Sequence, residues 1–213
     1  DALRRGFDEI NFDYIRFPSD GDMENIGYPV WDEQELKRAV IRRFFRYVRE
    51  RLPGARISVD VFGLATVNPD DLGIGQILED AYESFDYVAP MVYPSHYHSG
   101  FLGYRNPAEY PYEVIKYSLE KALMRLANDK EQITNSSSTA TSSDQFAISH
   151  LPYAAKLRPW LQDFDLGADY DAVMVRKEIQ SVYDAASSTP ELINGWMLWN
   201  PSNVYTKEAL ESK

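Results

Sequence analysis

The sequence predicts an α/β protein of the (β/α) barrel type, and three observations support this prediction. Short segments rich in β-branched and aromatic residues alternate with longer segments whose apolar residues have helical spacing. Such alternation is typical of a parallel sheet with right-handed crossovers. Acidic residues lie near the carboxyl ends of the first two predicted strands, where barrels carry their chemistry. The 213 residues suffice to bury the core of one domain.

Nine segments carry a strand or helix signal in alternating order. Strands are predicted at 9–17, 56–62, 87–93, 157–164 and 194–199, and helices at 32–51, 70–84, 111–127 and 170–186, before a short terminal helix. In the first strand Ile10 and Phe12 have the composition of a buried strand. Asn11 and Asp13 share one face because side chains alternate along a strand, and Pro18 follows its end.

The first helix and the second strand have the clearest patterns. The helix carries apolar residues at helical spacing, namely Leu36, Val40, Ile41, Phe44, Phe45 and Val48. Pro53 and Gly54 end it. The strand after it alternates Ile57, Val59 and Val61 with Ser58, Asp60 and Phe62. Asp60 therefore shares a face with Ser58, as Asp13 does with Asn11.

Five strand–helix units do not close an eight-stranded barrel, and an open sheet would leave strand edges exposed. Residues 1–6 resemble the last turn of a helix that ends at Gly6, which indicates that sequence precedes Asp1. We therefore expect three further units upstream. A five-stranded doubly wound fold is the alternative, but its first turn should carry a glycine-rich phosphate loop. Gly73 and Gly75 are only a weak signal of that kind.

One segment, 128–150, is expected to be a flexible loop or insertion. It contains the Ser/Thr-rich run 134–143 and has too few apolar residues to fold alone. The whole chain, 1–213, is expected to form one domain that supplies five units of a barrel, with this segment inserted in it.

Composition excludes several classes of function. The formal net charge is −11, from 33 acidic and 22 basic residues, which disfavours nucleic-acid binding. The chain has no cysteine, so disulfides, thiolate zinc sites and cysteine nucleophiles are excluded. No apolar run approaches the ~18 residues of a membrane span, and no signal peptide opens the sequence.

Asp13 and Asp60 are the candidate catalytic residues. Neighbouring strands lie ~4.8 Å apart, so acids at two adjacent strand ends can come within the range used by glycosidases. Glycosidic cleavage needs one carboxyl to protonate the leaving oxygen and another to attack or to activate water. We assign Asp13 as nucleophile or base and Asp60 as the acid, with exchangeable roles. The alternative is that one of them only pairs with Arg16 or with an upstream base.

Further polar and aromatic residues at the same strand ends are candidates for binding or orienting sugar. They are Arg16, Tyr93, His96, Trp160, Gln162, Asp163, Trp199 and Asn200. Aromatic faces stack on the apolar faces of pyranose rings, and Trp199 lies directly at a strand exit. Alternation favours Gln162 over Asp163 as the inward residue, although Asp163 turns inward if the strand ends one residue earlier.

No metal or cofactor is predicted. His96 and His98 share one loop without a clear third ligand, so a loop role or a hydrogen bond to sugar is favoured over a metal site. No Gly-x-Ser-x-Gly elbow suggests an esterase. No lysine occupies any of the five strand ends, which disfavours Schiff-base chemistry.

Five segments resemble the bacterial family called domain of unknown function 4015, a glycosyl hydrolase domain family. They are FDYIRFP (12–18), VDVFG (59–63), APMVYPSHY (89–97), RPWLQDF (158–164) and GWMLWN (195–200). The resemblance implies a glycosidase-type (β/α)8 TIM barrel, of which this chain supplies strands four to eight. It therefore also implies that the N-terminal part of the barrel is missing.

A weaker likeness concerns glycoside hydrolase family 18. That family's fourth-strand acidic motif is matched in spacing by Asp8, Asn11, Asp13 and Ile15. Met91, Tyr93 and Trp199 match later motifs. Since Ile15 stands where that family has its catalytic glutamate, acid–base chemistry here would fall on aspartates.

Together these observations predict a hydrolase that cleaves a polysaccharide or glycan without a cofactor. We expect an extracytoplasmic or cell-envelope location. The competing hypothesis is a barrel that binds glycans without cleaving them, motivated by the missing glutamate. A third hypothesis is a barrel lyase acting on other substrates, with its metal or phosphate site in the upstream part.

Overall fold

The computed structural model describes residues 1–137 and 155–210, and the side chains of 1–128 and 155–210. Within this part of the chain, six short strands form one parallel sheet that curls into a half-barrel. The strands are β1 (Ile10–Phe12), β2 (Ile57–Phe62), β3 (Tyr87–Met91), β4 (Lys156–Leu157), β5 (Trp160–Gln162) and β6 (Met197–Trp199). The helices are α1 (Lys37–Arg51), α2 (Leu78–Tyr82), α3 (Pro111–Ser137) and α4 (Ala172–Ala185).

The strands pair in the order β1-β2-β3-β5-β6, and β4 lies beside β3 on the same side as β5. Asn11 lies opposite Ser58, and Trp160 lies opposite both Met91 and Met197. Because all pairs are parallel, the carboxyl ends of the strands meet along one rim. The predicted α/β class with a parallel sheet is confirmed in this half-barrel form. The numbering of its strands within an eight-stranded barrel stays a prediction.

Helices cover the outer face of the sheet with their apolar residues. On α1, Ile41, Phe45 and Val48 are buried at the spacing that the sequence predicts. Phe45 is fully buried and packs edge-on against Phe85, with ring centroids 5.1 Å apart. Burial of one such side chain contributes about 1.5–3 kcal/mol. This packing holds α1 against the segment that leads into β3.

The strands are shorter than predicted, for reasons seen in the backbone. The strand predicted over 9–17 ends at Phe12, because Tyr14 adopts a left-handed conformation with φ 63° that leaves the extended path. The strand predicted over 157–164 is divided into β4 and β5. Pro159 lies at the division and has no N–H to continue the hydrogen-bond ladder.

Two helices also differ from prediction. α2 covers only part of the predicted 70–84, because the side chains of Asp70 and Asp71 accept hydrogen bonds from the backbone N–H groups of Leu72 and Gly73 and form turns. α3 continues past the predicted end at 127 to 137. The first part of the predicted loop 128–150 is therefore helical, and the rest lies outside the described residues. None of the described helices is long and apolar enough to cross a bilayer.

Candidate active site

Asp13 lies where the chain turns at the end of β1. The next residue, Tyr14, has φ 63°, a conformation that costs a non-glycine residue on the order of 1–2 kcal/mol. Its backbone N–H donates to Asp13 Oδ1 over 2.7 Å. This turn leaves the Asp13 side chain exposed at the rim. Backbone strain of this kind is often concentrated at functional sites.

Asp60 lies on β2 and is only 5% exposed. Asn11 Nδ2 donates to its Oδ2 over 2.9 Å, and Trp160 Nε1 donates to its Oδ1 over 2.8 Å. Burial raises the pKa of Asp60 to about 6, and the negative charge of Asp13 acts in the same direction. The two donors oppose this rise by stabilising the charged form. Asp60 is thus a carboxyl group that holds a proton unusually well.

A polar chain beneath Asp60 fixes the position of Asn11. Ser58 Oγ lies 2.7 Å from Asn11 Oδ1 and 2.6 Å from Glu9 Oε1, so its single proton serves one of them at a time. Glu9 is paired with Arg158, which lies over the ring of Tyr87. Because these groups restrain one another, the amide of Asn11 is held toward Asp60.

Both aspartates line one cavity of about 270 Å³ at the carboxyl ends of the strands. Its walls are Asp13, Tyr14, Arg16, Asp60, Phe62, Gln76, Met91, Tyr93, Trp160 and Trp199. Six of these were singled out from the sequence: Asp13, Arg16, Asp60, Tyr93, Trp160 and Trp199. Residues from five different strands or strand ends therefore converge on one site, as in barrel enzymes.

Aromatic residues form much of the wall. Trp199 is 43% exposed and meets Trp160 edge-on, with ring centroids 6.0 Å apart. Tyr93 is buried, and its pKa is raised far above its ordinary value by burial, so its hydroxyl stays neutral. The indole N–H of Trp160 donates its hydrogen bond to Asp60. The exposed face of Trp199, in contrast, can stack on a sugar ring.

Arg16 lines the cavity and forms no ion pair with either aspartate. Its guanidinium lies 4.3 Å from the ring centre of Tyr14 and 4.7 Å from that of Phe62. Its Nη1 donates to the carbonyl oxygen of Phe17 over 3.0 Å. Among the described residues no ion pair joins Arg16 to an acid. The carboxyl groups of Asp13 and Asp60 are therefore not neutralised by an ion pair with Arg16.

The chain matches over residues 1–205 the family called domain of unknown function 4015, which carries the description "Putative glycosyl hydrolase domain". It belongs to this family. No curated protein and no solved structure matches the chain. The resemblance seen in the five sequence segments is thereby confirmed, whereas the weaker likeness to glycoside hydrolase family 18 gains no support.

Three residues predicted to bind substrate, Gln162, Asp163 and Asn200, do not line the cavity of the two aspartates. Gln162 is fully buried, and its side chain bonds Ser95 and the carbonyl oxygen of Phe164. Asp163 is 2% exposed and accepts from the backbone N–H and the hydroxyl of Thr206. Asn200 donates to the carbonyl oxygen of Asp163. Protein partners therefore occupy the groups that were expected to face sugar.

His96 and His98 also do not line the cavity of the two aspartates. His96 lines a neighbouring cavity rather than the one with Asp60, and it packs against Tyr93 with ring centroids 5.2 Å apart. His98 is exposed and bonds the carbonyl oxygen of Ser99. The described part of the chain holds no cluster of three or more potential metal ligands.

Gln76 is a site residue that sequence reasoning missed. It is 1% exposed, its Oε1 accepts from the backbone N–H of Phe62, and its Nε2 donates to the carbonyl oxygens of Ile15 and Asp60. It therefore joins the β1 turn to the end of β2 beneath the two acids. The one available signal is a glutamine between the apolar Ile74 and Ile77, which periodicity alone does not interpret.

Proposed function

We propose that this domain is a glycoside hydrolase of a polysaccharide or cell-envelope glycan, in which Asp60 is the general acid and Asp13 the nucleophile or general base. The observation that supports this most is the pairing of two aspartates of different character on one cavity. Asp60 is buried with a pKa of about 6, and Asp13 is exposed at the rim. Pairs of carboxyl groups with separated environments supply the acid and the base in glycosidases.

In the proposed reaction, Asp60 gives its proton to the glycosidic oxygen as the bond from that oxygen to the anomeric carbon breaks. The positive charge that develops on the sugar ring is met by the carboxylate of Asp13. Asp13 either bonds the anomeric carbon or removes a proton from the attacking water. At pH 7 a group with a pKa of about 6 is protonated in about a tenth of molecules, which is enough for an acid catalyst.

The other wall residues have supporting roles in this proposal. The exposed ring of Trp199 offers a stacking platform, and the neutral hydroxyl of Tyr93 offers a hydrogen-bond partner for sugar hydroxyls. Trp160 and Asn11 hold the carboxyl of Asp60 in one orientation. Arg16 remains available for a polar group of the substrate.

Glycan binding without cleavage is the second candidate. Ile15 stands where the likeness to glycoside hydrolase family 18 would place a glutamate. Both oxygens of Asp60 already accept hydrogen bonds from protein donors. In this hypothesis Asp60 only helps to shape a binding cavity.

Turnover on a panel of defined polysaccharides and oligosaccharides, measured as released reducing ends, tests the proposal. We expect cleavage of at least one member by the parent protein. Asp60→Asn and Asp13→Asn should each lower kcat by about 10²–10⁴, because each removes one partner in proton transfer or attack. Asp8→Asn is the matched control, since Asp8 precedes the same strand and does not line the cavity.

Binding of the same glycan to Asp60→Asn, measured by calorimetry, separates loss of chemistry from loss of binding. Binding by the parent without any turnover would favour the second candidate. Full turnover in Asp60→Asn would exclude Asp60 as the acid.

A further inference from the structure

A second cavity, of about 420 Å³, adjoins the one that holds the two aspartates. The two cavities have Phe62, Met91 and Tyr93 as common wall residues. These residues come from the end of β2 and from the end of β3 and the loop after it. A ligand seated on the aspartates can therefore extend over this shared wall into the second cavity.

The second cavity lies between two loops at the carboxyl ends of strands. Ser19 and Asp20, from the loop after β1, line one part of it, and His96, from the loop after β3, lines another. Asp20 and His96 are exposed and carry groups that bond hydroxyls. The cavity thus combines an apolar and aromatic wall with a few polar groups, which is the usual composition of a small-molecule site.

The wall of the second cavity is closely packed at Gly63. A Cβ atom on Gly63 would lie 2.4 Å from the carbonyl oxygen of Met91 and 2.9 Å from the hydroxyl oxygen of Tyr97. Only glycine allows the end of β2 to approach the end of β3 so closely here. This approach brings Tyr97, whose hydroxyl lies 2.9 Å from that of Ser118, into the wall of the second cavity.

Hydrogen bonds connect the polar side of the second cavity to the first. Arg16, which lines the first cavity, donates from Nη1 to Ser19 Oγ over 3.2 Å. Ser19 Oγ in turn donates to Asp20 Oδ2 over 3.3 Å. The position of Asp20 is therefore coupled, through Ser19, to Arg16 in the wall of the proposed catalytic cavity.

We propose that the second cavity is a subsite for a second sugar unit of the substrate. The ligand is then an oligosaccharide with at least two contiguous pyranose units, lying across Phe62 and Tyr93. An aromatic and apolar wall suits one face of the second ring, and Asp20 and His96 suit its hydroxyls. This inference rests on the proposed function in placing the first sugar against Asp13 and Asp60.

The test measures affinity against chain length in the Asp60→Asn protein, which keeps the ligand intact. The probes are mono- to tetrasaccharides of the cello-, chito-, malto- and galacturono- series, titrated by calorimetry. In the series that binds, we expect affinity to rise about tenfold or more from one sugar unit to two or three. Asp20→Ala and His96→Ala, added singly, should reduce that rise at least threefold.

Two variants serve as matched controls. Glu24→Ala removes an exposed acid from the same loop as Asp20, and His98→Ala removes the neighbouring imidazole. Neither residue lines the second cavity, so both variants should keep the full dependence on chain length. Thermal unfolding of each variant confirms that its fold is intact.

The outcomes separate this inference from the proposed function. Length-dependent binding without hydrolysis by the parent would contradict the proposed function and support the subsite. Hydrolysis with equal affinity for one and two sugar units would support the function and overturn the subsite. Tighter binding of an aryl monoglycoside than of any disaccharide, lost in His96→Ala, would assign the cavity to an apolar leaving group instead. Binding of no probe overturns the subsite.

Discussion

The rim of the half-barrel differs between its β1–β2 side and its β5–β6 side, although both carry aspartates at strand ends. Asp60 and Asp163 are both buried and both accept two hydrogen bonds. The partners of Asp60 are side chains that themselves lie on strands of the sheet, and Asp60 lines a cavity. The partners of Asp163 both belong to Thr206 in the segment after β6.

The β5–β6 side is closed by further bonds within the protein. Glu178 on α4 is fully buried and accepts from the backbone N–H of Gln162 over 2.7 Å. Burial raises the pKa of Glu178 well above its ordinary value, so this carboxyl holds its proton more strongly than an exposed glutamate. Polar residues on this side fasten the chain after β6 to the sheet. A carboxyl group at a strand end is therefore a candidate for a site only where the neighbouring segments leave part of it facing a cavity.

The largest expected difference between the two sides of the rim is the effect of replacing an aspartate on the stability of the protein. Asp163→Ala leaves the backbone N–H and hydroxyl of Thr206 without their acceptor, so we expect a loss of about 3 kcal/mol in the free energy of unfolding. Asp13→Ala removes an exposed side chain and should change stability by about 0.5 kcal/mol or less. Urea unfolding measures both. Equal changes in the free energy of unfolding would mean that Asp163 does not stabilise the attachment of the segment after β6.

The pH dependence of kcat/KM sharpens the assignment of Asp60. Its pKa of about 6 lies above that of an ordinary aspartate, so Asp60 still holds its proton between pH 4 and 6. A general acid no longer functions once it has lost its proton, so kcat/KM should fall about tenfold per pH unit above pH 6. A profile measured from pH 4 to 8 checks this. An increase through pH 6 would instead assign Asp60 as the base.

The smallest expected effect concerns the bond from Trp160 to Asp60. This hydrogen bond lowers the pKa of Asp60. Trp160→Phe should therefore move the fall in kcat/KM to a pH higher by about half to one unit. Trp199→Phe is the control, because the bond to Asp60 comes from Trp160 and not from Trp199. If kcat/KM of Trp160→Phe instead fell at lower pH, water beside the smaller ring would lower the pKa of Asp60 by more than the lost hydrogen bond raises it.

The sequence predicted those features that depend on nearby residues. The spacing of Ile41, Phe45 and Val48 predicted α1 and its buried face, and the α/β class followed from the alternation of strands and helices. Asp13 and Asp60 were predicted at neighbouring strand ends, and the structure places both on one cavity. Periodicity suffices here because each side chain's direction is set by its own strand.

Other features were decided only by the tertiary structure. Alternation put Gln162 on the same face as Trp160, yet Ser95 reaches Gln162 from the loop after β3 and removes it from the cavity. The bond from Trp160 to Asp60 joins residues that are distant along the chain. A strand's period fixes which side a residue faces. Which distant group arrives there, and whether space remains for a ligand, depends on how the whole sheet curls and how the loops pack over its rim.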